Sequence, residues 1–336
     1  MPDATTARPG SPSSRAPRVC VTLPVYNGAR FLREALDSVF TQDYPNVVAR
    51  VLDNASTDGT RTLLNAIRHP RLEVVLYDEH VPVAASYARA AEQDCGDYLV
   101  FLAADDRLVP GALSALVGVA EDHPDVGFVY GQAVVVQEGP GPRPFGMAVR
   151  PPRIGPIEDL ERYILRNGYN VPLSTILFRR QTPGFGIDPS TRNACDLDLL
   201  LQLGRRGVRG IGIAHPVLYL REHEGALSDN RRMLAEATLD TLLRHERTSD
   251  MPQLYRRRAR RVLLWAIIQR LAAGDQVDAR DLLGKYQEQL GVNRASLAAA
   301  LVRVPWLRMP LELARRVRRL AAHERLVRRR SGQGTG

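Results

Sequence analysis

The chain has 336 residues, 44% of them hydrophobic, enough for one large domain or two ordinary ones with a well-buried core. Its formal charge of +9 invites an acidic partner, but Lys285 is the single lysine among 46 basic side chains, so the excess reads as a coding bias toward arginine. No run reaches the ~18–20 apolar residues of a membrane span, the first residues lack a signal peptide's apolar core, and no aromatic-and-basic strand pattern of RNA binding is present, so a soluble protein without a nucleic-acid partner is expected.

Residues 1–17, "MPDATTARPGSPSSRAP", are rich in Pro, Ser, Ala and Thr and read as a disordered leader. From Arg18 the pattern becomes short β-branched runs separated by helical stretches. "RVCVTL" predicts a first strand, "FLREALDSVFTQ" a helix and "VVARVLD" a second strand; "TRTLLNAIRH" predicts a second helix, then "LEVVLY" and "DYLVFLA" third and fourth strands. This alternation implies βαβ units and a mainly parallel sheet flanked by helices, whose ligand crevice lies beyond the carboxyl ends of the strands.

Three strand ends would face that crevice: "PVYNG" (Pro24 to Gly28), "DNASTDGT" (Asp53 to Thr60) and "AADD" (Ala103 to Asp106). An aromatic ring, an amide and several carboxylates on one edge suit a nucleotide with a metal-bound diphosphate. Asp58 is expected to cap the following helix rather than touch a ligand. Adjacent carboxylates such as Asp105 and Asp106 repel each other and resist desolvation, so they are placed to hold a cation, a hydroxyl or water. No G-x-G-x-x-G follows the first strand and no P-loop motif occurs, which argues against a nicotinamide oxidoreductase and a P-loop enzyme. Cys20, Cys95 and Cys195 are far apart and fit neither a metal spacing nor a disulfide framework, which points to a reducing cytoplasm.

Farther on, "QEGPGPRPFGMAVRPPRIGP" is a Pro- and Gly-rich loop without readable chemistry. "NACDLDLLLQLGRRG" opens a helix with Leu197, Leu200, Leu201 and Leu203 as its buried face, and Asp196 or Asp198 at its start as cap or as base. Residues 230–336 form a helical region: "RRMLAEATLDTLLRHE", "QLYRRRARRVLLWAIIQRLAAG" and "VDARDLLGKYQEQLG" predict amphipathic helices separated by Pro252 and Gly274. A basic last segment carrying Trp306 would either lie on an anionic membrane or be an ordinary surface helix with a basic tail.

The order and spacing of "VTLPVYNGARFLREALDSVFTQDYPNVVARVLDNASTDGT" and "GDYLVFLAADD", resumed at "ACDLDLLLQLGRRG" and "LREHEGALS", resemble inverting glycosyltransferase family 2, which has the GT-A fold. The resemblance implies a catalytic domain over residues 18–229 with a C-terminal helical appendage. In it Pro24, Tyr26 and Asn27 would line the base and ribose pocket, and Asp53 would accept the N3 imide hydrogen of uracil or thymine. Asp105, last acid of the D-x-D element, would hold a divalent cation (Mn or Mg) on the donor diphosphate. Asp106 would support ribose, metal or sugar, and Asp196 would be the general base, with Asp198 its rival. Arg221 would face phosphate oxygens, His223 would complete the metal shell, and Gly225 would act as a hinge.

The implied reaction is inverting transfer from a UDP- or dTDP-sugar to an acceptor hydroxyl, in a cytoplasmic enzyme, peripheral to the membrane in one variant of the reading. A bacterial cell-envelope or natural-product role follows only from composition and fold. Departures from the pattern are Ala103 for the first acid of D-x-D, Cys195 for the acid before the base, Ala88 for an asparagine and Pro82 for a glycine. They keep an alternative open, a degenerate fold member or basic scaffold that binds nucleotide or nucleic acid without chemistry.

Overall fold

The computed structural model describes residues 15–137, 148–149, 153–168, 171–223 and 230–292. The expected leader up to residue 14, most of the Pro- and Gly-rich loop, the Gly225 hinge and the basic segment with Trp306 lie outside these residues.

Each early strand carries side chains for two cores. β1 (Val19–Val25), β2 (Val47–Asn54) and β4 (Tyr98–Phe101) are buried almost throughout, as strands covered on both faces must be. Val19, Val21, Leu23 and Val25 point into one apolar cluster with Val51, Val100 and Leu102, under α1 (Leu32–Phe40) and α4 (Ala112–Asp122). The intervening Cys20, Val48, Leu52, Leu99 and Phe101 face the opposite cluster. This period of two fixes the register of the sheet, since a slip of one residue would exchange the two cores.

The first four strands are parallel, with β3 (Leu72–Tyr77) at the edge, followed by β2, β1 and β4. α2 (Thr60–Ala66) and α3 (Val83–Glu92) make the crossovers on either side of β3. The second half continues the sheet with β9 (Ile176–Arg179), which runs antiparallel to both β4 and β6 (Phe128–Gln137). β10 (Gly210–Glu222) pairs parallel with β6 and, near its end, antiparallel with β5 (Arg107–Leu108). Two short strands, β7 (Ala148–Val149) on β6 and β8 (Gly155–Ile157) on β10, complete ten. The sheet is therefore parallel where the sequence reading placed it and mixed beyond.

α5 (Leu160–Asn167) and α6 (Cys195–Arg205) pack together on the second face. Against them lie α7 (Arg231–Glu246), α8 (Pro252–Ala273) and α9 (Gln276–Leu290), close to the three helices expected from the sequence. Leu239, Tyr255, Leu263, Leu282 and Tyr286 belong to the same apolar cluster as Leu199 and Leu203. α7 to α9 thus share the apolar core on this face of the sheet.

One expectation is corrected. Cys20 and Cys95 form a disulfide, with Cα atoms 5.6 Å apart across 75 residues of sequence, while Cys195 is free and buried. The parallel pairing of β1 with β4 sets Val19 beside Tyr98 and so brings Cys20 next to the segment entering β4, a closeness that linear spacing cannot show. Gly96 lets these segments meet, because a Cβ there would lie 2.6 Å from the Arg18 carbonyl oxygen. The cysteines therefore give no argument for a reducing compartment. Among the described residues no helix is long and apolar enough to cross a membrane.

Candidate active site at the strand tips

The loops after β1 and β2 are laced together by side chains. Asn27 has φ of 53°, a left-handed conformation that asparagine tolerates better than most residues. Its Oδ1 accepts the Thr57 amide at 2.8 Å, while its own amide donates to Ser56 Oγ at 2.9 Å. Gly28 donates to Thr60 Oγ1 at 2.9 Å. Asp58 accepts from the Thr60 amide at 2.9 Å and from Ala29 at 3.1 Å; the N-cap position of α2 is Gly59, without a side-chain cap, so Asp58 ties the two loops together and is not the cap expected of it. Asn27 accordingly fixes the loop that carries Tyr26. Pro24 is a buried residue of β1, and by strand alternation its missing N–H falls on the β4 side, beyond the last β1–β4 pair at Thr22 and Phe101, where no ladder bond is lost.

Asp53 is next to last in β2 and is wholly buried. Its Oδ2 accepts from Arg61 Nε at 2.7 Å and from the Ser56 amide at 3.2 Å; its Oδ1 is buried with no hydrogen-bond partner. A buried carboxylate oxygen without a donor is costly. Tyr26, 48% exposed, stands in the preceding loop with its ring 4.3 Å from that of His80. The His80 segment is tied to the end of β2 by Asn54, which donates to the Val81 carbonyl at 2.8 Å and accepts its amide at 3.0 Å.

At the tip of β4 the two aspartates separate in role. Asp106 is buried, and its Oδ1 accepts the Arg221 amide at 2.9 Å. Burial, and then the neighbouring Asp105 charge, push its pKa up to about 7, against the opposing pull of the Arg221 amide and guanidinium and of His223. Asp105 lies 3.1 Å from His223 Nε2 through its Oδ2. Arg221 is also buried. Its Nε donates to the Asp105 carbonyl at 2.8 Å, its Nη2 meets Glu34 Oε2 at 2.7 Å, and its guanidinium lies 4.5 Å from the Phe31 ring centre. Phe31 packs against His223 as well, with ring centres 4.7 Å apart. In this arrangement Arg221 braces the Asp105 backbone.

The two acids at the start of α6 also part company. The helix begins at Ala194 without a side-chain cap, so neither acid is the cap. Asp198 is buried and saturated: Oδ1 takes Arg244 Nη2 at 2.5 Å and His245 Nε2 at 2.6 Å, and Oδ2 takes Gln202 Nε2 at 2.6 Å. Arg244 continues to Asp188 at 2.5 Å. Asp196, one position toward the helix start from Leu197, accepts that residue's amide at 2.7 Å and is only partly buried.

Tyr87 of α3 joins the two halves. Its ring centre is 5.6 Å from Phe101. Burial first, then the nearby Cys195, Asp105, Asp106 and Asp196, drive its phenol pKa far upward, so it stays protonated. Sequence reasoning missed Tyr87, His80, Phe31 and Glu34, which occupy ordinary helix and loop positions. Among the described residues no group of three or more His, Cys, Asp or Glu is arranged to hold a metal ion by itself.

The model of the family described as "Glycosyl transferase family 2" matches residues 20–181. The glycosyltransferase EpsE of Bacillus subtilis (strain 168) is 30% identical over 217 residues, which cover 62% of this chain and 75% of EpsE. TuaG of the same organism, named as a teichuronic acid biosynthesis glycosyltransferase, is 25% identical over 224 residues, 66% of this chain and 86% of TuaG. Among solved structures, S. aureus TarS 1–349 in complex with UDP-GlcNAc has a TM-score of 0.61 at 16% identity, covering 84% of this chain and 83% of that one. The mannosyltransferase PcManGT of Pyrobaculum calidifontis, in complex with GDP-Man and Mn2+, has a TM-score of 0.56 at 22% identity, covering 88% and 89%. Strand tips, sheet and relatives agree: the chain belongs to glycosyl transferase family 2 and is a glycosyltransferase with a GT-A type fold.

Proposed function

We propose that the enzyme transfers a sugar, with inversion, from a UDP- or dTDP-sugar to an acceptor hydroxyl. The observation that carries the donor half is the orphaned Oδ1 of Asp53 beside the exposed Tyr26. Uracil and thymine present a single imide N–H, which suits one free carboxylate oxygen. Guanine presents N1–H and an amino group side by side and would call on both oxygens, but Arg61 and Ser56 occupy Oδ2. Adenine offers an acceptor where a donor is needed. Tyr26, with His80 against it, gives the base an aromatic surface.

A divalent cation fits the second half. Asp105 and His223 supply one carboxylate and one imidazole facing each other, and the small number of protein ligands leaves room for diphosphate oxygens, the usual manner of Mg2+ binding at phosphate sites. When bound, the cation would neutralise charge developing on the departing diphosphate. Arg221, by gripping the Asp105 carbonyl, keeps that carboxylate in position. Tyr87 remains protonated and can donate to phosphate, sugar or acceptor oxygen. Asp196 takes the acceptor proton as the hydroxyl oxygen reaches the anomeric carbon from the face opposite the diphosphate. The saturation of Asp198 supports Asp196 over it as base.

Cell-envelope polysaccharide synthesis is the setting we favour, after the names of TuaG and of the amylovoran biosynthesis glycosyltransferase AmsB of Erwinia amylovora. The base preference is tested by displacement titration with UDP, dTDP and GDP. UDP and dTDP are expected to bind at least about tenfold more tightly than GDP, and Asp53→Asn to lose about tenfold or more in UDP affinity, the worth of one charge-assisted hydrogen bond. Tighter binding of GDP than of UDP would refute the base assignment.

A further inference from the structure

α8 carries an exposed face that neither the fold nor the transferase site uses. Arg257, Arg261 and Trp265 recur every four residues on it, all exposed, and Trp265 is 60% exposed. Arg258 adjoins them, with its guanidinium against Gly168 at the end of α5, where an added Cβ would lie 2.6 Å from Nη2. Arg166 of α5 is exposed next to these, and its carbonyl accepts Arg261 Nη1 at 3.2 Å. Among the described residues Arg257, Arg258 and Arg261 form no ion pair with a carboxylate, whereas Arg166 acts on Asp159 of its own helix. The nearby acids are committed elsewhere: Asp159 to Arg162, Glu158 to Arg209, Glu161 to Tyr255 and Glu246 to Arg256. The charge is crowded enough that burial and then the Arg261 charge lower the pKa of Arg258.

A guanidinium or two at the carbonyl end of a helix is ordinary dipole compensation. That accounts for Arg261 and Arg258. Arg166, in the last turn of α5, is accounted for in the same way, which leaves Arg257 and a large exposed indole without a use. An indole exposed next to arginines matches the physics of a lipid–water interface, where the ring enters the headgroup layer and guanidinium groups meet phosphate.

We propose that this face of α8, with the end of α5, docks on an anionic phospholipid surface. It lies toward the catalytic edge of the sheet. From the end of α5 the chain reaches the 3-10 turn Leu173–Thr175, where Ser174 Oγ accepts the Ala103 amide at 3.2 Å, two residues before Asp105. Docking there would bring the strand-tip crevice to acceptors held in the same bilayer. That use rests on the transferase reading; the lipid contact itself does not.

The test is co-sedimentation of the full chain with vesicles of phosphatidylcholine alone or mixed with phosphatidylglycerol, at low and high salt. Indole emission is followed in a Trp306→Phe background, which leaves Trp265 as the sole tryptophan. Expected are binding to the anionic vesicles only, a blue shift of Trp265, and an affinity lower by about tenfold or more in Arg257→Glu/Arg261→Glu and at high salt. UDP titration of the same variants reports separately on the donor crevice and is expected to be unchanged. Anionic-vesicle binding that survives both the charge reversal and Trp265→Ala would overturn the proposal, since another segment would then carry it. So would absence of vesicle binding, or concentration-dependent dimerisation abolished by Trp265→Ala, which would make the face a contact between copies of the chain.

Discussion

Asp196→Asn is expected to lower kcat by about 10²–10⁴-fold while leaving nucleotide affinity within about twofold, because it removes the proposed base and none of the proposed donor contacts. The amide keeps the side chain's size and can still accept the Leu197 amide, so the start of α6 should hold its shape. The measurement is single-turnover transfer from labelled donor, with donor affinity determined in parallel. A parallel loss of affinity would make Asp196 part of the donor site, and an undiminished kcat would return the role of base to another group.

Asp198→Ala is expected to act on stability, through a different mechanism. The substitution strips the shared acceptor from Arg244 and from the buried His245, and leaves Gln202 without its partner. Breaking a buried ion pair by deleting one member costs roughly 3–5 kcal/mol, at the lower end here because Arg244 is 39% exposed and keeps Asp188. The loss is read as a fall in the denaturant midpoint. Since Asp198 joins α6 to α7, the midpoint should fall far more than in Asp196→Asn, and equal midpoints for the two variants would contradict the division of roles.

What could be read from sequence followed from burial and locality. β1, β2 and β4 stand out because strands covered on both faces become continuous apolar runs, and α7 to α9 because their long helix-forming runs are separated by Pro252 and Gly274. α3 was not foreseen. "VAASYARAAE" packs with alanines, whose small side chains leave little periodic contrast. β6, β9 and β10 depend on pairing with distant segments, which a local pattern does not reveal.

The site divides along the same line. Asp53, Asp105, Asp106 and Asp196 sit in recognisable strand-end and helix-start motifs. The partners that give each its character are remote: Arg221 is 115 residues from Asp106, and His245 is 47 from Asp198. Asp196 and Asp198 look interchangeable in sequence and are separated only by those long-range bonds. The Cys20–Cys95 pairing was missed for the same reason.

The most direct measurement is calorimetric titration of the protein with UDP, with and without Mn2+, on the parent chain, Asp105→Ala and Asp196→Asn. The account predicts binding that requires both Mn2+ and Asp105 and that persists in Asp196→Asn. UDP binding indifferent to the metal and to Asp105, or no binding under any condition, would contradict it.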